Sequence, residues 1–255
     1  MLQRPETESM FSIFSSKKFL IDYLDGFIDI HNHILPGIDD GAKNVDDSIA
    51  LIKEFAAFGV THFIATPHIM HNYYPNDRQS ITQALTEVKH ALLINDMKQI
   101  SIDAAAEHMI DDNFEHLLDT DDIMSLRKQY LLVEMSYLQP PINFEEAIIK
   151  TASKGYFPVL AHPERYGFLH QRKRKYKEYK EHGILFQMNL LSLGEYYGKE
   201  VPKVALELLN DGLIDFVASD IHNLDQLNSL KKLTLSKKNV EQLVPLINNT
   251  ISTFY

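Results

Sequence analysis

The chain of 255 residues carries 35 acidic side chains against 25 Lys and Arg, a formal net charge of −10, which excludes general attraction to nucleic-acid phosphates as its working principle. It contains no Cys, so disulfides, thiolate metal sites and every cysteine-nucleophile mechanism are excluded. With 45% hydrophobic and 24% charged residues it reads as one folded α/β-sized domain, and no apolar run approaches the ~20 residues that a membrane span requires.

Residues 1–26 form an N-terminal extension, polar at first and then apolar in Met10–Phe14 and Phe19–Leu24, which predicts a short amphipathic helix packed on the body. Arg4, Glu6, Glu8, Lys17, Lys18, Asp22 and Asp25 interrupt it, unlike a secretory leader, so the cytoplasm is the expected compartment. Residues 27–255 are expected to be the functional domain. It opens on Phe27-Ile-Asp-Ile-His-Asn-His33, an apolar strand running into two histidines on one face, since residues i and i+2 of an extended chain project together. The loop Leu35–Gly41 follows, then a helical stripe from Asp46 to Phe58 that Gly59 ends.

The same alternation continues along the chain. Strand His62–Ala65 leads to Thr66-Pro67-His68, and a helix spans about Ser80 to Ile94. Strand Ile100–Ala106 ends at Glu107, Tyr130–Val133 at Glu134, Phe157–Ala161 at His162, Ile184–Met188 at Asn189 and Phe216–Ala218 at Asp220-Ile-His222. Helices are expected at Phe144–Lys154, around Arg172–Glu181, at Lys203–Leu209 and from Lys237 to Tyr255, where Pro245 bends or divides the last. Apolar strands alternating with helices imply parallel pairing with both faces covered, and polar chemistry at the strand ends matches the place where (β/α) barrels put their sites.

The strand ends collect His31, His33, Asp40, His68, Glu107, Glu134, His162, Asp220 and His222, all imidazole or carboxylate. Each alone has an ordinary reading: His68 as a loop histidine, Glu107 and Glu134 as solvated charges, Asp220 as the cap of a helix near Asn223. Their joint placement argues for a metal centre of Mn²⁺, Fe²⁺ or Zn²⁺, and the number of donors exceeds one ion, so two or three ions are expected. Arg165, three residues beyond His162, is placed to grip a phosphate, with a surface ion pair as the alternative. The basic run Arg172–Lys175 with Lys177 and Lys180 reads as a solvated helix face or as a means of steering an acidic peptide. Glu115, His90, His116, His170 and His182 fall on helices and are read as surface residues.

Ile28-Asp-Ile-His-Asn-His33, Asp39-Asp-Gly41, Ala65-Thr-Pro-His68, Ala106-Glu107, Leu160-Ala-His-Pro-Glu-Arg-Tyr166 and Ala218-Ser-Asp-Ile-His-Asn223 together resemble the polymerase and histidinol phosphatase (PHP) superfamily. Within it they most resemble the bacterial tyrosine-protein phosphatases encoded with capsule and exopolysaccharide machinery. The resemblance implies a distorted seven-stranded TIM-like (β/α) barrel and a trinuclear, usually manganese-dependent site. By that resemblance His31, His33, Glu107 and Asp220 would hold one metal; Glu107, Glu134 and His162 a second; Asp40, His68 and His222 a third. Arg165 would bind phosphate, and Asp220 or His222 would pass a proton to the leaving oxygen. The implied reaction is hydrolysis of O-phosphotyrosine by a metal-activated water, on a phosphorylated tyrosine kinase that controls polysaccharide export. The rival readings are a small-molecule phosphatase such as histidinol-phosphate phosphatase, and a metal-binding regulatory module without turnover.

Overall fold

The computed structural model describes residues 18–255. Its strands are β1 (Lys18–Phe19), β2 (Ile28–Asp29), β3 (His62–Ala65), β4 (His68–Ile69), β5 (Ser101–Ala104), β6 (Glu107–Met109), β7 (Tyr130–Glu134), β8 (Phe157–Ala161), β9 (Leu185–Asn189), β10 (Phe216–Ala218) and β11 (Thr234–Leu235). The helices are α1 (Val45–Ala56), α2 (Arg78–Ile94), α3 (Phe114–Thr120), α4 (Phe144–Ser153), α5 (Gly167–His170), α6 (Arg174–Glu181), α7 (Val201–Asn210), α8 (Leu224–Lys232) and α9 (Lys237–Phe254). Each of the expected apolar strands has its counterpart, and all pair in parallel apart from the antiparallel couple β1–β11.

The strands do not form the expected single seven-stranded barrel. They make a three-stranded sheet, β2-β3-β5, and a six-stranded sheet, β10-β9-β8-β7-β6-β4; no closed barrel is present among the described residues. The reason lies in two interruptions. Between β3 and β4 the chain passes through Thr66-Pro67, where Pro67 has no N–H to give to a ladder, and between β5 and β6 through Ala105-Ala106. At each break the path leaves the smaller sheet and enters the larger one. On the other side the sheets touch through the bridge Asn32–Ile221 and through Asp29, whose Oδ1 accepts from Ser219 N (2.9 Å) and Oδ2 from Ser219 Oγ (2.6 Å). Asp29 is fully buried, and burial pushes its pKa up to about 6 against those hydrogen bonds.

The core follows the apolar pattern. Phe63, Leu131, Val133 and Leu160 share one buried cluster with Ile49, Ile52 and Phe55 of α1 and Ile81 and Val88 of α2, while Ile28, Ile64, Leu132 and Val159 form a second with Phe216 and Phe254. Asn44 caps α1, its side chain accepting from Asp47 N, and Asn223 caps α8 by accepting from Gln226 N. Asp220 is therefore not the cap of that helix. The last helix continues through Pro245 without dividing and buries Val240, Leu243, Ile247 and Phe254. Of the expected N-terminal helix, Met10–Phe14 lies outside the described residues. Phe19 closes β1, and Leu20–Tyr23 forms a single 3₁₀ turn that buries Leu20 instead of an α-helix.

One buried histidine lies beneath the strand ends without facing the cluster of donors. His108 donates from Nδ1 to Ala106 O (3.1 Å) and accepts from Met124 N at Nε2 (3.4 Å), so the neutral Nδ1–H form satisfies both contacts. Burial lowers its pKa to about 4. Because the unfolded chain takes up that proton near pH 6.5 and the folded one only near 4, stability is intact above 6.5 and is lost as pH falls toward 4. Urea unfolding in the presence of chelator is expected to show His108→Gln losing about 3 kcal/mol less than the wild type between pH 7 and pH 4; parallel pH profiles would contradict this assignment.

Candidate metal centre

All nine candidate side chains converge at the C-terminal ends of the strands. His31 Nε2 lies 3.2 Å from Glu107 Oε2 and 3.3 Å from Asp220 Oδ1, and His33 Nε2 lies 3.5 and 3.3 Å from the same two oxygens. His68 Nδ1 faces Glu107 Oε2 at 3.1 Å and Glu134 Oε1 at 2.8 Å, while its Nε2 faces Asp40 Oδ1 at 3.4 Å. His162 Nε2 is 3.1 Å from Glu107 Oε1, and His222 Nε2 is 3.5 Å from Asp40 Oδ1. Glu134 therefore stands close to His68 and Glu107, and His162 to His31 and Glu107, so that Glu107 lies between the two. The sets His33–Asp40–His68–His222 and His31–His33–Asp220 complete the cluster.

Hydrogen bonding alone does not satisfy these atoms. The Nε2 atoms of His31 and His33 approach to 3.4 Å while both face Glu107 and Asp220, and one ring nitrogen carries at most one proton for all of these partners. Glu107 Oε2, Glu134 Oε1 and His68 Nδ1 are buried without an aligned hydrogen-bond partner, although they lie close together. Convergent lone pairs of this kind fit divalent cations held by imidazole and carboxylate. Burial works against charge on His31, His33, His68, Glu107 and Asp220. Even so, Glu107 and Asp220 raise the pKa of His31, and the facing imidazoles hold Glu107 and Asp220 well below the carboxylate range.

The local chain explains how the donors are aimed. His162 and Asp220 both adopt left-handed backbone, φ 37° and 53°, a conformation that costs a non-glycine residue roughly 1–2 kcal/mol and that clusters at functional sites. Asp220 N donates to His31 O (2.7 Å) and His162 N to Gln187 O (2.8 Å), which holds those turns. Asp39 and Asp40 divide their work. Asp39 Oδ2 holds His33 Nδ1 at 2.8 Å and Oδ1 accepts from Gly41 N, whereas Asp40, 52% exposed at its side chain, reaches His68 and His222 across the mouth.

A cavity of about 490 Å³ stands over the cluster, walled by Met70, Tyr73, Tyr74, Met109, Ile110 and Tyr137. Arg165 enters it, its Nη1 donating to Asp220 Oδ2 (2.6 Å) and its guanidinium lying 4.9 Å from the Tyr137 ring and 4.2 Å from that of Tyr197. Asp39, Tyr137, Gln187 and Asn189 are site residues that the sequence reading missed. The last two carry no motif signal, and Tyr137 sits in a loop whose return to the site only the fold reveals. Of the paired tyrosines 73–74 and 196–197, Tyr73 and Tyr74 line the cavity and Tyr197 lies against Arg165. The basic helix α6 is largely neutralised: Lys173 pairs with Glu207, Arg174 and Lys175 with Glu178, and Lys180 with Asp215. His90, His116 and His182 are exposed, Glu115 is held by Asn143 and Lys150, and His170 meets Glu164 O.

Gly41 is the tightest point of the loop that carries Asp39 and Asp40, since a Cβ there would stand 2.0 Å from His33 O. Gly41→Ala is expected to displace that loop and weaken Mn²⁺ binding about 10- to 100-fold, the range of other changes that disturb ligand support. Competition against a chromophoric chelator measures it, and an unchanged affinity would contradict the assignment.

The family model described as "Capsular polysaccharide synthesis, CpsB/CapC" matches residues 27–242. Tyrosine-protein phosphatase YwqE of Bacillus subtilis is 33% identical over 202 residues, 79% of each chain. A putative tyrosine-protein phosphatase CapC of Staphylococcus aureus is 30% identical over 200 residues, 77% of each. Among solved structures, one from a study of YwqE and of CpsB from Streptococcus pneumoniae, titled as unique metal-dependent tyrosine phosphatases, superposes with a TM-score of 0.73 at 30% identity, covering 87% of this chain and 94% of that one. With a family model matched over most of its length and relatives of this similarity, the chain belongs to the CpsB/CapC family of capsular polysaccharide synthesis.

Proposed function

We propose that the protein is a metal-dependent protein-tyrosine phosphatase that hydrolyses O-phosphotyrosine on a tyrosine kinase governing capsular or exopolysaccharide synthesis, in the cytoplasm. The observation that carries this reading is the convergence of five imidazoles and four carboxylates under a cavity with aromatic walls and one arginine. Relatives named as tyrosine-protein phosphatases, and a structural neighbour described as metal-dependent, support it.

In this reading His31, His33, Asp40, His68, Glu107, Glu134, His162, Asp220 and His222 hold two or three Mn²⁺ ions, a donor mixture that also admits Fe²⁺ or Zn²⁺. Bound divalent cations would supply an activated water and positive charge to the phosphate oxygens. Arg165 offers its guanidinium to the phosphate from a position fixed by Asp220 and by two tyrosine rings. Tyr74, Tyr137 and the apolar wall of Met70, Met109 and Ile110 receive the substrate's aromatic ring. Asp220 is poorly suited to give a proton to the leaving oxygen. It is buried and ionised beside His31, and its Oδ2 already accepts from Arg165 and Asn189. His222, whose Nδ1–H is held by Asp220 O while its Nε2 belongs to the donor set, has no spare proton either, and a tyrosine phenolate, with a parent pKa near 10, leaves with little help.

Chelator-stripped protein is expected to release no phosphate from a phosphotyrosine peptide until Mn²⁺ is restored, and to prefer the peptide over histidinol phosphate. Arg165→Ala should lower kcat/KM on the peptide by about 10²-fold, the scale of removing one preorganised charge contact. Turnover of histidinol phosphate alone would keep the site and replace the substrate; turnover of neither with Mn²⁺, Fe²⁺ or Zn²⁺ would contradict the reading.

A further inference from the structure

Two amide side chains on β9 lie behind the cluster and are absorbed neither by the metal set nor by the substrate cavity. His31 Nδ1 is 2.6 Å from Gln187 Oε1, Gln187 Nε2 donates to Asn189 Oδ1 at 3.0 Å, and Asn189 Nδ2 donates to Asp220 Oδ2 at 2.6 Å. All of these residues are buried. The backbone N–H of Asn189 donates to Glu164 Oε1 at 2.9 Å, which fixes where the chain of amides starts.

We propose that Gln187 and Asn189 form a directional relay that sets the tautomer of His31, keeping a proton on Nδ1 and leaving the Nε2 lone pair bare toward the cluster. The inference rests on the reading of His31 and Asp220 as metal ligands. Asp220 Oδ2, which also takes the Arg165 Nη1–H, can only accept, so the amide group that Asn189 turns to it is the NH₂. That leaves Asn189 Oδ1 toward Gln187, which must answer with its own NH₂. Gln187 Oε1 then faces His31 Nδ1, and only an N–H satisfies it. Turning over either amide would set oxygen against oxygen at one junction of the chain. On the far side of the ring, His31 Nε2 points at Glu107 Oε2 and Asp220 Oδ1.

The relay ties both ends of one donor set together. The carboxylate that shares His31's site also dictates, through two amides, which nitrogen His31 presents. Gln187 and Asn189 are positioning residues: they touch no substrate and act through His31 and Asp220. Outer partners of this kind fix ring orientation, and their loss typically weakens metal affinity about 10- to 100-fold.

The first test is long-range ¹⁵N–¹H correlation on the full chain loaded with Zn²⁺ at pH 8, with His31 assigned by difference from His31→Asn. The expected spectrum shows a protonated Nδ1 and an unprotonated Nε2 on His31; the opposite tautomer, or a mixture, overturns the relay. Zn²⁺ affinity by chelator competition is the second readout. Gln187→Leu and Asn189→Leu should each lose about 10- to 100-fold, and the double variant should lose little more than the weaker single, as members of one chain do. Gln187→Glu, whose carboxylate still accepts from Nδ1–H, should bind more tightly than Gln187→Leu. Wild-type affinity in both leucine variants, or losses that simply multiply, overturns the relay while leaving the metal centre standing. A wild type that binds no Zn²⁺ or Mn²⁺ removes the metal centre itself.

Discussion

One carboxylate organises this protein. Glu107 is fully buried at the start of β6, its Oε2 within 3.5 Å of nitrogens from His31, His33 and His68 and its Oε1 3.1 Å from His162. A lone buried anion is too costly to keep, so four of the five candidate imidazoles crowd around it and the strands must end where they can. The break at Ala105-Ala106 lets β5 belong to one sheet and β6 to the other, which brings Glu107 to the centre. The parallel break at Thr66-Pro67 does the same for His68. The feature that departs from an even barrel is thus the feature that gathers the donors.

The support around the cluster is built from neutral or compensated polar groups. Asp39 orients His33, Gln187 orients His31, Asn189 and Arg165 occupy one oxygen of Asp220, and Asp29 with Ser219 joins the sheets just beneath. Each leaves one face of a candidate ligand free toward the interior of the site. Left-handed backbone at His162 and Asp220 stores strain at the same place, and the backbone bonds from their N–H groups to Gln187 O and His31 O hold it.

Much of this was legible in the residues. Period and punctuation gave the strands from Phe27 to Ala218 and the helices between them, because apolar runs bounded by Gly and by acids have few other uses. The nine donors were legible because a charged or imidazole residue directly after a buried strand needs a partner. The sheet arrangement was not, since pairing across Thr66-Pro67 and Ala105-Ala106 depends on backbone geometry that no side-chain pattern records. Gln187 was hidden inside an apolar strand, where one amide reads as noise until its partners on His31 and Asn189 are seen.

The account stands or falls on whether the cluster around Glu107 is a multinuclear metal centre. Crystals of the full chain grown with Mn²⁺ and measured at the manganese absorption edge decide it directly. The account predicts two or three anomalous peaks among His31, His33, His68, Glu107, His162 and Asp220, with Glu107 touching more than one of them. An anomalous map with no peak there, or with manganese bound only elsewhere on the surface, would contradict it.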